Sequence, residues 1–61
     1  MKQKVKALTG KMCWLSWKVN GCKHRMAGIV KNIHDVRFEF KLNNGMLAKI
    51  KYKSVTNIEE I

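Results

Sequence analysis

The chain has 61 residues, 46% of them hydrophobic, and its thirteen Lys and Arg against four Asp and Glu give a formal net charge of +9. This length allows one domain with a small core, and the apolar fraction excludes a wholly disordered chain. No apolar run approaches the roughly 18 to 20 residues that cross a bilayer, and the basic start "MKQKVK" is not followed by an apolar segment. We therefore predict neither a transmembrane segment nor a secretory signal, and expect a cytoplasmic protein.

The first nine residues show no clear hydrophobic period. "KQKVKAL" alternates weakly, and Thr9-Gly10 after it is a turn signal. We predict that residues 1–9 form a basic N-terminal arm or a short first strand, and that residues 10–61 form the folded domain.

The run "KMCWLSWKV" over residues 11–19 alternates as a half-buried strand does. Its more continuous apolar stripe consists of Cys13, Leu15, Trp17 and Val19. We assign this stripe to the core, which leaves Trp14 on the outer face. Asn20-Gly21 is a strong turn dipeptide and ends the strand.

The segment "HRMAGIVKNIH" predicts a second strand with an irregularity. Gly28 within a strand is typical of a bulge or of a close approach of another backbone. Ile29, Val30 and Ile33 do not fit one stripe of period two. A bulge or sharp bend near Lys31-Asn32 restores the register.

The segment "VRFEFKL" alternates without interruption and is followed by "NNG". Its apolar stripe is Val36, Phe38, Phe40 and Leu42. A two-residue turn would set Phe40 beside Lys49, whereas a three-residue loop pairs Phe40 with Ala48. Cross-strand partners share a face, so only the longer loop pairs apolar with apolar. We predict this loop with Gly45 in the left-handed conformation.

The same register predicts a basic outer face. Its three pairs are Arg37 with Lys51, Glu39 with Lys49, and Lys41 with Leu47. Directly opposed like charges are destabilising, so Arg37 and Lys51 are costly unless an anion lies between them. After this hairpin, "KSVTN" predicts a single helical turn and "NIEEI" a short last strand with Ile58 and Ile61 as its apolar residues. No other helix is predicted.

The segments "AGIVKNI", "FEFKLNNG" and "KIKYKSVTNIEEI", about half of the chain, together resemble an SH3-like small β-barrel. The pattern is similar to that of KOW, Tudor and related nucleic-acid-associated barrels. The resemblance implies an all-β fold of five strands that close around one small core, with one helical turn before the last strand. It implies no particular ligand, because such barrels serve many functions.

The excess of positive charge favours a polyanionic partner. Eleven of the thirteen cations are Lys, which suits phosphate contacts, whereas bidentate base reading prefers Arg. Trp14 on the outer face is placed to stack on a base. We predict a largely sequence-tolerant nucleic-acid binder, a regulator of DNA or RNA transactions. The predicted contact residues are Trp14, Lys18, Lys23, Arg25, Lys31, Arg37, Lys41, Lys49, Lys51 and Lys53.

The alternative is a small protein-binding module that docks on an acidic partner surface, in the manner of a phage- or plasmid-type regulator or inhibitor. Edge strands of an open barrel favour strand addition or a small homo-oligomer, and a monomer is equally compatible with the sequence. Exposed Met12, Trp14 and Leu47 would mark such an interface. No amphipathic helix is visible, so no membrane partner is expected.

No catalytic site, metal or cofactor is predicted. The four acids offer no carboxylate pair across a cleft, and nothing orients His24 toward Cys22. The spacing Cys-x8-Cys-x-His lacks the CxxC-like pair of a structural zinc site. Cys13 is predicted to be a small core residue and Cys22 a loop thiol.

Overall fold

The computed structural model describes every residue, 1–61, as one short helix followed by five strands. The helix α1 spans Lys2–Ala7. The strands are β1 (Met12–Val19), β2 (Cys22–Ile33), β3 (Arg37–Leu42), β4 (Leu47–Lys51) and β5 (Val55–Glu60), and a single 3₁₀ turn, Tyr52–Ser54, separates β4 from β5. The protein is all-β, with the predicted five strands and the predicted helical turn before the last one.

All neighbouring strands are antiparallel, and their order across the sheet is β4-β3-β2-β1-β5. Asn20 and Gly21 join β1 to β2 with φ values of 51° and 81°, both positive as a type I′ hairpin turn requires. The sheet curls into a compact barrel-like unit of 27 × 25 × 18 Å. The sheet does not close into a full barrel: β4 and β5 are its two edge strands and do not pair with each other.

The β3–β4 hairpin has the predicted register. Phe40 lies opposite Ala48 and Arg37 lies opposite Lys51. Gly45 has a φ of 92°, and its N–H donates to the Leu42 carbonyl at 2.9 Å. The three-residue loop is therefore confirmed, and with it the separation of an apolar inner face from a charged outer face.

The predicted irregularity in β2 is also confirmed. The register against β3 shifts between Val30 and Ile33, on either side of Lys31-Asn32. Gly28 is buried where β2 pairs with β3, opposite Leu42. A Cβ at this position would overlap the Lys41 carbonyl oxygen and the Phe40 ring. The glycine is thus needed for close approach of the two strands.

The core contains eleven buried apolar side chains: Val5, Cys13, Leu15, Trp17, Val30, Phe38, Phe40, Ile50, Tyr52, Val55 and Ile58. Tyr52 stacks on Phe38 with ring centroids 5.3 Å apart, and its hydroxyl donates to the His34 carbonyl at 2.7 Å. Its phenol oxygen is therefore satisfied although the ring is buried.

Three residues assigned to apolar stripes lie outside the core. Val19 is 45% exposed and Val36 is 60% exposed, and Ile61 is also exposed. Val19 is next to the hairpin turn, and Val36 precedes the first residue of β3. The assignments fail at the ends of strands, where no other layer of the fold covers these side chains.

The first nine residues form neither an extended arm nor a strand, and the prediction of no further helix is wrong. Lys2–Ala7 is α-helical, and Val5 on this helix is fully buried in the core. Lys, Gln and Ala are good helix formers. An isolated helix of six residues is unstable in water, so α1 depends on the packing of Val5.

Candidate nucleic-acid interface

The outer face of the β3–β4 hairpin carries four exposed cations: Arg37, Lys41, Lys49 and Lys51. Glu39 lies opposite Lys49 but accepts a hydrogen bond from the Asn32 side-chain amide and makes no ion pair. The positive charge of this face is therefore not neutralised by its one acid.

A shallow depression of about 410 Å³ lies between Arg37 and Lys51. Its lining consists of Val36, Arg37, Lys51, Tyr52 and Lys53. We call this the basic depression. It brings three cations together without an acidic residue. A second concavity nearby, of about 450 Å³, is lined by Arg37 and Lys49 but also by Asp35 and Glu39. The basic depression is therefore the concavity better suited to an anion.

The chain contains a single ion pair. The Lys2 Nζ lies 3.4 Å from Asp35 Oδ1, and it donates a hydrogen bond of 2.8 Å to the Asp35 carbonyl oxygen. The other twelve Lys and Arg have no carboxylate within 4 Å. This leaves most of the +9 charge available to an external anion.

A groove of about 320 Å³ separates β4 from the end of β1. Four lysines line it, and no acid does: Lys18, Lys49, Lys51 and Lys53. We call it the lysine groove. Trp17, Val19 and Ile50 contribute its apolar surface. The curl of the sheet thus brings Lys18 from β1 to the β4 lysines, which are distant from it in the strand order.

The β1–β2 hairpin carries Trp14, the one aromatic residue among the predicted contacts. Trp14 is 39% exposed, and the Arg25 guanidinium lies over its ring, 4.6 Å from the centroid. Glu59 on β5 is the direct neighbour of Trp14 on the other side. Lys18 lies opposite Lys23 near the hairpin turn, a second pair of facing cations.

A largely apolar row crosses the outer face between these two regions. It consists of Met12, Ile29, Lys41 and Leu47, each directly opposite the next. In the register, Trp14 and Arg25 lie on one side of this row, and Arg37 and Lys51 lie on the other. All ten predicted contact residues are exposed, but the structure does not unite them into one surface. Lys31 is exposed beside the bulge of β2, and Lys41 is flanked by apolar neighbours.

Burial raises the pKa of the Cys13 thiol, the Glu60 carboxylate raises this pKa further, and Lys11 offsets part of the change. The thiol donates to the Lys11 carbonyl at 3.1 Å. Cys13 is thus the predicted core residue, whereas Cys22 is exposed. His24 stacks on Trp17, with 5.2 Å between ring centroids. No group of three or more His, Cys, Asp or Glu side chains is arranged to hold a metal ion.

The sequence pattern did not reveal the polar residues Asn20 and Ser54 in the lysine groove, or the groove itself. Its walls come from segments about thirty residues apart, and no local period encodes their meeting. No helix combines the length and the hydrophobicity needed to span a bilayer. The chain matches no protein-family model, no curated protein and no solved structure at a significant level.

Proposed function

We propose that this protein binds nucleic acid through its phosphate backbone, with little sequence preference, and so serves as a regulator of DNA or RNA transactions. The observation that carries the proposal is the basic depression, where Arg37 directly faces Lys51 beside Lys53 with no acid in the lining. A bound phosphate converts the repulsion between facing cations into two favourable contacts. The SH3-like pattern of the sequence agrees with this proposal, since similar barrels are associated with nucleic acid.

Binding of this kind is dominated by the release of counterions from the phosphate backbone. If about five phosphates are engaged on duplex DNA, the logarithm of the affinity falls with the logarithm of salt concentration at a slope near −4.5. Lys18, Lys23 and Arg25 extend the contact beyond the basic depression, and the long, flexible side chains of lysine suit contacts with phosphates at several positions.

The test is a fluorescence titration of short single- and double-stranded DNA and RNA at two salt concentrations. We compare the wild type with the triple variant Arg37→Gln/Lys51→Gln/Lys53→Gln. The matched control, Lys4→Gln/Lys6→Gln/Lys11→Gln, removes the same charge from exposed positions outside the basic depression and the lysine groove. The depression variant is expected to lose at least tenfold more affinity than the control. Equal losses, or an affinity that does not depend on salt, contradict the proposal.

A protein partner is the second candidate function. The observation that favours it is the apolar row on the outer face, where Met12 and Leu47 are largely exposed. Exposed apolar groups at adjacent positions on a monomer often mark an interface. A stoichiometric acidic partner whose binding resists nuclease treatment would favour this function.

A further inference from the structure

The free edge of β4 carries backbone groups without partners in the chain. Two hydrogen bonds bracket the β3–β4 pair: Leu42 N–H to Met46 O at 2.8 Å, and Tyr52 N–H to Val36 O at 3.2 Å. Hydrogen-bonded and non-hydrogen-bonded pairs alternate in an antiparallel ladder, and both bonds give the same phase. Leu47 and Lys49 therefore lie in non-hydrogen-bonded pairs. Their N–H and C=O groups point away from β3, toward the side of β4 on which the sheet has no further strand.

The lysine groove runs along this free edge. Lys49, Ile50 and Lys51 line it as three consecutive residues. Alternate side chains of a strand point to opposite faces, so three successive residues share a groove only along the strand's edge. The opposite wall is residues 17–20 at the end of β1 and its turn. The groove therefore presents both a charged lining and an unpaired backbone.

A strand edge offers donors and acceptors in alternation, and a phosphodiester offers acceptors alone. The Leu47 and Lys49 carbonyls could not bond to a phosphate, but they can accept N–H groups from a peptide. We propose that the β4 edge binds an extended acidic peptide segment of a partner protein as an antiparallel sixth strand. Pairing β4 with the β4 of a second copy would set lysine against lysine, so a symmetric dimer through this edge is disfavoured.

The lining of the groove specifies a side-chain pattern. Residues of the added strand opposite Lys49 and Lys51 share the outer face with them, so acidic side chains are favoured there. The residue between them faces the same side as Ile50, near Trp17 and Val19, and an apolar side chain is favoured. The preferred segment is therefore extended and alternates acidic and apolar residues.

The proposal predicts which peptide amides are needed. In the antiparallel register, the residues opposite Leu47 and Lys49 form hydrogen-bonded pairs, so the acidic residues direct their N–H groups to β4 and the apolar residues direct theirs away. The probes are three labelled peptides of sequence Ser-Glu-Val-Glu-Val-Glu-Ser. One is unmodified, one is N-methylated at its glutamates, and one is N-methylated at its valines.

Fluorescence anisotropy with the wild-type protein is expected to show binding of the unmodified peptide, with the glutamate-methylated peptide at least tenfold weaker and the valine-methylated peptide much less affected. All three peptides carry the same charge, so charge attraction alone predicts equal affinities. Equal binding of the unmodified and glutamate-methylated peptides overturns the proposal, as does the absence of binding at low salt.

A protein variant tests the same contact from the other side. Lys49→Pro removes an N–H that makes no bond to β3, and Lys49→Gln removes the same charge while keeping that N–H. We expect Lys49→Pro to bind the peptide at least tenfold more weakly than Lys49→Gln, with thermal unfolding confirming that both are folded. Equal affinities of two folded variants overturn the proposal, and the methylated peptides decide the matter if the proline variant does not fold.

This inference is separate from the proposed nucleic-acid function. The depression variant Arg37→Gln/Lys51→Gln/Lys53→Gln tests the phosphate contacts, whereas N-methylation of the peptide tests only the β4 edge. Saturating duplex DNA provides a further arm. Peptide binding that DNA abolishes and that ignores N-methylation is charge attraction alone and overturns the proposal of strand addition.

Discussion

Arg37 and Lys51 face each other as direct cross-strand neighbours on β3 and β4, and the concavity between them contains no carboxylate. Opposed like charges lower the stability of a sheet by about 0.2–1 kcal/mol relative to a neutral pair. The folded protein therefore retains a repulsion that a bound anion relieves. Stability and ligand binding are expected to respond in opposite directions when this pair is changed.

The first prediction concerns that opposition. Lys51→Gln is expected to raise the free energy of unfolding by a few tenths of a kcal/mol at low salt, because it removes the charge facing Arg37. The gain should shrink at high salt as screening weakens the repulsion. Urea denaturation at two salt concentrations measures both effects. Lys41→Gln, opposite the uncharged Leu47, is the control and should give no such gain; a gain of equal size there would contradict the explanation.

The second prediction concerns α1. Val5→Ala is expected to lower the free energy of unfolding by about 2 kcal/mol, because it leaves a cavity at a fully buried position. Lys2→Ala removes a partly exposed ion pair and hydrogen bond to Asp35 and a cation–π contact with Tyr52, and should cost about 1 kcal/mol or less. Chemical denaturation of both variants gives the comparison. A Val5→Ala protein as stable as the wild type would show that α1 is not part of the cooperative core.

The third prediction concerns the two thiols. Near pH 8, a thiol reagent should modify exposed Cys22 rapidly and buried Cys13 only when the protein unfolds. A reaction monitored with and without urea distinguishes the two. Rapid modification of both thiols in the native protein would contradict the assigned burial of Cys13.

The raised pKa of Cys13 also sets the sign of a pH effect. Above pH 9.0, the thiol ionises in the unfolded chain but stays protonated in the folded protein. The free energy of unfolding therefore falls as pH rises. In a Cys22→Ser background, the decrease in stability between pH 8.5 and 10 should be steeper with Cys13 than with Cys13→Ala. Identical pH profiles of stability for these two proteins would contradict a raised pKa of Cys13 in the folded state.

The fourth prediction separates the two tryptophans. Trp17→Ala is expected to lower the free energy of unfolding by about 3–5 kcal/mol, because Trp17 packs against Phe40 in the core. Trp14→Ala should alter stability little but weaken single-stranded nucleic-acid binding, because stacking contributes about 1–3 kcal/mol per base. Duplex affinity is the internal control and should change less. Unchanged single-strand affinity would remove Trp14 from the interface.

The sequence predicted the middle of the fold well because alternation is strongest there. The stripe containing Phe38 and Phe40 required a three-residue loop, and the loop then required Arg37 to face Lys51. Strand ends were less predictable, since Val19 and Val36 have the composition of core residues but lack covering neighbours. The helix α1 escaped detection because its single buried residue, Val5, produces no helical period.

The candidate site was predictable only in part for a related reason. Exposure of all ten basic and aromatic contact residues follows from alternation, but their grouping depends on how the sheet curls. The lysine groove joins Lys18 to Lys53 across thirty-five positions of sequence. The free N–H and C=O groups of β4 depend on strand order, which no local pattern specifies.

The pairing of β1 with β5 has a consequence for how the chain folds. It joins Cys13 to Glu60, 47 positions apart, so the pairing of the edge strand β5 closes a loop that contains most of the chain. Small barrels dominated by such distant pairings fold on a time scale of milliseconds to seconds. Until β5 arrives, β1 is itself an uncovered edge next to an unfinished core, and this interval is when the protein is most exposed to aggregation.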